Sequence, residues 1–174
     1  MIQFIFRNTW WVKRKRPKIK IWLTVFDLVI EIAGLVAVLA MWILVIATYS
    51  GLPDVIPTHY NGLGQADHFS GKSGIWMLPV IATAVYAGMT ILNMFPRVFN
   101  YPVKITEDNA FFQYRNMARM VRCLKLVLVL IFGYFVLHTA LNTNNDFDIW
   151  FTPLLLAMIF IPVIYFMVKS FIHR

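Results

Sequence analysis

Four apolar runs, each about twenty residues long and set apart by polar stretches, frame this chain; they cover about 28–49, 75–95, 123–141 and 149–168. A helix of about 20 apolar residues, rising 1.5 Å per residue, crosses about 30 Å of hydrocarbon, so each run is predicted to span a membrane. The second and fourth runs contain no Asp, Glu, Lys or Arg. The first holds Glu31 near its start. The third begins with Lys125, whose long stem can reach back to the interface. Pro153 falls in the first turn of the fourth run, where proline is tolerated, and Pro162 in its interior, where a kink is predicted.

Composition agrees with that pattern: 60% of the 174 residues are hydrophobic and only 14% charged. A soluble domain of this length could not bury so much apolar surface, so the bilayer must act as solvent. The expected architecture is an all-α integral membrane bundle of four spans, with a basic segment at 1–26 and a membrane domain at 27–174. The first run is too long for a secretory leader, and no small-residue cleavage site follows it; it is expected to remain as an anchor. The one cysteine, Cys123, has no partner in the chain with which to form a disulfide.

The net charge is +8, and 15 of 16 lysines and arginines lie before the first run, between the second and third, at the edge of the third or in the tail. Lys72 alone lies elsewhere. The rule that basic loops stay in the cytoplasm places both termini there and the 50–74 loop outside, in a multi-pass protein of a bacterial inner membrane. The basic block with flanking tryptophans, WWVKRKRPKIKIW, is expected to meet lipid headgroups. The bilayer is therefore the expected partner, and nucleic acid is not.

Between the first two runs lies a polar island, LPDVIPTHYNGLGQADHFSGKSGIW. Pro53 and Pro57 hold its start extended, and the glycines suit a tight turn, so a β-hairpin cap is predicted on the outer surface. GKSG lacks the spacing of a phosphate loop. On the other side, Asp27 and Glu31 share one face of the first helix, and Arg115, Arg119 and Arg122 share one face of the helix leading into the third run. These stripes lie at similar depth and are expected to form an interhelical clasp. That helix should start near Thr106 as a cap, with Glu107 and Asp108 at its positive end and a stripe of Ala110, Tyr114, Met117, Val121 and Leu124. Ala84 and Gly88 form a small-xxx-small pair suited to close helix approach.

His59, His68 and His138 fall on the outer side with Asp54, Asp67, Asp146 and Asp148. They are candidates for a metal or proton site, although their spacing matches no ligand motif; a polar network closing the loop accounts for them more simply. The chain has no zinc-protease motif, no nucleophile elbow and no paired cysteines. No enzymatic activity and no cofactor are expected.

LPDVIPTHYNGLGQADHFSGK, placed just after a first span, resembles the family known as domain of unknown function 1648. NYPVKITEDNAFFQYRNMARMVRCLK resembles the linker and helix of its small four-span members. The resemblance extends over about 27–141. The family pattern falls on Pro53, Pro57, His59, Asn61, Gly64 and Lys72; Asp67 and His68 lie between them. Some relatives are immunity proteins of the sporulation-delay toxin type, which protect the producer's membrane from a secreted toxic peptide; some of these also signal by holding a cytoplasmic repressor at the membrane. The resemblance thus implies immunity or membrane signalling, with the cap recognising a peptide or lipid-like ligand. The alternatives from the residues themselves are a small transporter or channel component, because Pro162 could open a pocket, and a metal- or proton-sensing membrane protein.

Overall fold

The computed structural model describes residues 16–141 and 146–174. Its elements run α1 (Val25–Thr48), β1 (Val55–Tyr60), β2 (Ala66–Gly71), α2 (Met77–Leu92), α3 (Ala110–Leu141) and α4 (Phe151–Ile172). Short 3-10 turns, Tyr49–Gly51, Lys72–Trp76 and Pro96–Val98, join them. All four helical segments are long and apolar enough to cross a membrane, the second counted from Lys72. The basic positions 7, 13, 14 and 15 lie outside the described residues. From Arg16 to Leu23 the backbone forms no regular element, and Arg16 Nη1 donates to the carbonyls of Arg97 (2.7 Å) and Phe99 (2.6 Å).

α1 and α3 begin where side chains supply a cap. Thr24 and Asp27 close a capping box on α1, three residues before the start read from hydropathy. Thr106 does cap the approach to α3: its hydroxyl accepts from the Asn109 N–H (3.3 Å) while Asn109 Oδ1 accepts from the Thr106 N–H (2.9 Å). The helical hydrogen bonding runs from Ala110. α4 continues through Pro162, whose missing N–H leaves one carbonyl in the preceding turn without its helical donor.

α3 packs against all three other helices. At 32 residues it is about 48 Å long, well beyond the about 30 Å a bilayer core needs. The surplus lies at its N-terminal end, because Arg119 stands level with Thr24 at the start of α1 (2.9 Å between Nη2 and Oγ1). Along this helix the usual inside-out relation is inverted. Gln113, Asn116, Arg122, Lys125 and Thr139 are buried, while α1 turns Leu28, Ile32, Leu35, Leu39 and Ile43 outward. In hydrocarbon this is the stable arrangement, since lipid solvates apolar side chains and only other protein groups can satisfy polar ones.

Two of those buried amides hold α4. Gln113 Nε2 donates to the carbonyls of Ser170 (2.9 Å) and His173 (3.0 Å), Gln113 Oε1 accepts from the Ser170 hydroxyl, and Asn116 Nδ2 donates to the Phe166 carbonyl (2.8 Å). Replacing Gln113 with leucine strands those groups, each buried polar group left alone costing about 1–3 kcal/mol. Gln113→Leu should therefore lower the detergent melting temperature and expose the end of α4 to proteolysis; wild-type melting would show that the amide contributes nothing.

The apolar core lies in the other half of the bundle. Val38, Met41 and Val45 of α1 meet Ala82 of α2 and Val129 and Val136 of α3, and Leu52, Ile56 and Ile75 extend the cluster beneath the hairpin. Close approach of α1 and α2 occurs at Gly34, where an added Cβ would stand 2.9 Å from Tyr86. It does not occur at the Ala84–Gly88 pair, since nothing lies within 4 Å of a Cβ built at Gly88.

Candidate functional site

Two polar assemblies sit at opposite ends of the bundle. At the end where α1 starts, Asp27 and Glu31 face a ladder of cations on α3. Arg119 Nε donates to Asp27 Oδ1 (3.0 Å), Arg122 Nη1 approaches the same oxygen at 3.5 Å, and Arg122 Nε donates to Glu31 Oε1 (3.1 Å). Lys125 completes the ladder. Its fully buried ammonium pairs with Glu31 Oε2, donates to Thr90 Oγ1 on α2 (2.7 Å) and lies 4.3 Å from the centre of the Tyr86 ring. The Tyr86 hydroxyl in turn donates to the Glu31 carbonyl (3.0 Å). Three helices are thus tied by three cations and two carboxylates.

Two expectations need correction here. Lys125 does not reach back to an interface; burial beside Glu31 gives its charge a partner at no cost in stretching the stem. Arg115 does not join the clasp. Its guanidinium lies 5.0 Å from the centre of the Phe111 ring, one turn earlier, so it stands short of α1. The missed signal was spacing: Arg119, Arg122 and Lys125 recur every three residues, which keeps them on the side of α3 that faces α1 and α2.

At the far end the predicted hairpin forms, β1 pairing antiparallel with β2 and the register slipping on either side of His59. Asn61 builds the turn. Its Oδ1 accepts from the N–H groups of Leu63 (2.9 Å) and Gln65 (3.1 Å), and its carbonyl accepts from Gly64 (2.9 Å). Gly64 has φ +82°, and its carbonyl accepts from the Phe147 N–H (2.8 Å) while Asp146 Oδ1 accepts from the Ala66 N–H (2.8 Å). The segment leading into α4 is thereby fastened to the hairpin. Phe147 stacks on Phe151 and His138 with ring centres 4.0 and 3.9 Å apart and meets Tyr60 edge-on at 4.4 Å.

The other candidates are dispersed over this cap. His59 Nδ1 pairs with Asp67 Oδ1 at 2.5 Å on the exposed face, and His68, its cross-strand neighbour, is exposed as well. Lys72 pairs with Asp54 (3.1 Å), tying the end of β2 to the start of β1. Pro53 is exposed and Pro57 buried. His138 is half-buried among aromatic rings, with Nδ1 unpartnered among the described residues. His59, His68 and His138 are not gathered into one site, and among the described residues no three His, Cys, Asp or Glu side chains could hold a metal ion together.

Between the cap and the bundle lies a cavity of about 520 Å³. β1 roofs it with Ile56 and Tyr60, α2 lines one side with Leu78 and Ile81, and α3 the other with Phe132 and Phe135. The walls are chiefly apolar. Thr58, Ser70 and Thr139 add hydroxyls, and the buried Tyr60 hydroxyl makes no hydrogen bond among the described residues. Burial pushes the Tyr60 phenol above its ordinary pKa, so it stays protonated and able to donate. The chemistry on offer is enclosure of an apolar chain with a few hydroxyls to orient a polar end.

Residues 36–83 match the family model described as Domain of unknown function (DUF1648). The match takes in the second half of α1, the whole hairpin and the start of α2, and so every cap candidate from Pro53 to Lys72 but none of the clasp. It is narrower than the 27–141 over which the resemblance was read. A protein of Archaeoglobus fulgidus described as "Uncharacterized protein" is 26% identical over 157 residues, covering 80% of this chain and 85% of the relative. No solved structure matches the chain. The chain is thus a multi-pass membrane protein in which the matched stretch spans the hairpin and the adjoining parts of α1 and α2.

Proposed function

We propose that this protein is a non-enzymatic membrane receptor that holds an apolar chain, from a lipid-like molecule or a membrane-active peptide, beneath its hairpin cap. The cavity between β1, α2 and α3 carries this reading: it is chiefly apolar, large enough for several methylenes and an end group, and lined in part by Thr58, Ser70 and Thr139. Toxin immunity or membrane signalling follows if the occupant is a peptide or lipid whose capture protects the cell or changes the bundle. His59, Asn61, Gly64 and Lys72 serve as scaffold, holding the roof in shape.

A fluorescent fatty acid that brightens in apolar surroundings is the probe of choice. In detergent, the purified chain should enhance its emission saturably, and Ile81→Trp, which fills the cavity, should abolish that saturation at unchanged melting temperature. Emission that rises linearly and equally for both proteins would overturn the reading.

The same proposal sets the basic end in the cytoplasm and the cap outside. In a Cys123→Ser background, Leu63→Cys on the exposed turn should react with an impermeant thiol reagent in intact cells (or spheroplasts, where an outer envelope intervenes). Asn100→Cys should react only after lysis. The reverse labelling would refute the orientation.

A further inference from the structure

Arg115, left out of the clasp, lies in a groove that has no carboxylate of its own. The groove, about 230 Å³, opens among the basic-end portions of α1, α3 and α4 and is lined by Arg115, Asn116 and Arg119 of α3, Tyr165 and Lys169 of α4, and the rings of Phe26, Phe112 and Phe166. Arg115 and Lys169 are only half-exposed, yet neither lies within 4 Å of an acidic group among the described residues. Arg119 alone has one, Asp27, and that carboxylate is already shared with Arg122. The clasp behind the groove has itself one more cation than anions. Among the described residues Lys169 Nζ hydrogen-bonds only the Tyr165 hydroxyl, at 3.5 Å.

Three cationic groups converging on one groove, with two of them lacking counter-charge, call for an anion. Its shape indicates which. The groove lies level with the first turn of α1, where the helices leave the apolar zone, and its cationic rim gives way directly to three phenylalanine rings. A soluble anion needs the first feature only; a phosphodiester carrying acyl chains uses both. We infer that this groove binds the phosphate of an anionic membrane lipid, with Arg115 and Lys169 as its principal donors and the glycerol and upper acyl chain against Phe26 and Phe166. Basic pockets between spanning helices at the cytoplasmic side are a general means of holding such headgroups.

The site is tested with the full chain in detergent micelles and a tail-labelled fluorescent phosphatidylglycerol, competed by unlabelled phosphatidylglycerol, phosphatidylcholine or inorganic phosphate. Each removed charge should weaken binding about fivefold, so Arg115→Gln/Lys169→Gln should weaken it about 25-fold. Lys104→Gln/Arg174→Gln, which removes two exposed charges at the same end that do not line the groove, should leave the affinity unchanged. Phosphatidylcholine and inorganic phosphate should compete poorly. Equal losses in the two double variants would reduce the effect to general charge attraction and overturn the site, as would wild-type affinity in Arg115→Gln/Lys169→Gln. Inorganic phosphate competing as well as the lipid would overturn the lipid assignment in favour of a soluble phosphate. Should the double variant fail to fold, the single Lys169→Gln carries the test with its fivefold expectation.

Discussion

Lys125→Met is expected to lower the thermal unfolding midpoint in detergent more than neutralising any exposed charge at the basic end of the bundle. The ammonium is wholly enclosed, and its removal leaves Glu31 Oε2 facing α2 with no cation, and Thr90 with no donor. Breaking a buried ion pair by deleting one partner costs about 3–5 kcal/mol, far above the about 0–1 kcal/mol typical of exposed pairs. The comparison that isolates the pair is a double-mutant cycle. Glu31→Gln alone should cost at least as much, because it leaves the wholly enclosed Lys125 ammonium without an anion, whereas Lys125→Met leaves Glu31 paired with Arg122. Glu31→Gln/Lys125→Met should recover part of the loss, since no charge then remains uncompensated at that rung. If Lys125→Met melts like wild type, or the two changes simply add, the clasp does not hold these helices together.

The second large effect is expected at the hairpin. Gly64→Ala forces an L side chain into a left-handed backbone conformation, which costs about 1–2 kcal/mol by itself, and sets the new Cβ 2.9 Å from Phe147 Cβ and 3.0 Å from the Phe147 carbonyl oxygen. Because Phe147 is fastened there by its own N–H, relief requires the hairpin and the segment before α4 to separate. The total should exceed about 2 kcal/mol. The helical circular dichroism signal should persist while the cap becomes protease-sensitive and fatty-acid binding is lost. Gly62→Ala is the control, since no atom lies within 4 Å of its added Cβ. Equal behaviour of the two variants would show that the hairpin is not docked as described.

These two sites differ in how far the chain announces them. The four spans were legible because membrane insertion depends on summed hydropathy over about 20 residues, a property local to each run. The hairpin was legible too, from two prolines, a turn-forming Asn61 and glycines between apolar runs. The clasp was half legible. Its acids stand four apart on α1 and two of its arginines three apart on α3, and helical geometry alone puts each set on one face. Which cations meet those acids depends on the axial offset between the helices, and no local pattern encodes an offset. The packing moved the cation ladder about one turn further along α3 than expected, bringing Lys125 to Glu31 and leaving Arg115 to a groove against α4.

The amides of Gln113 and Asn116 read as ordinary polar residues on a surface helix, and only the position of α4 shows that they meet carbonyls in its C-terminal half. The cavity is the extreme case. Its walls come from β1, α2 and α3, and a void is a property of the space that separate elements fail to fill. Element type, number and approximate length were thus determined by the sequence, because they follow from short-range periodicity and from transfer of apolar surface into lipid. Charge partners, the seating of the cap on Phe147 and the enclosed volume were decided by tertiary structure, because each depends on distances between residues that the chain itself separates by dozens of positions.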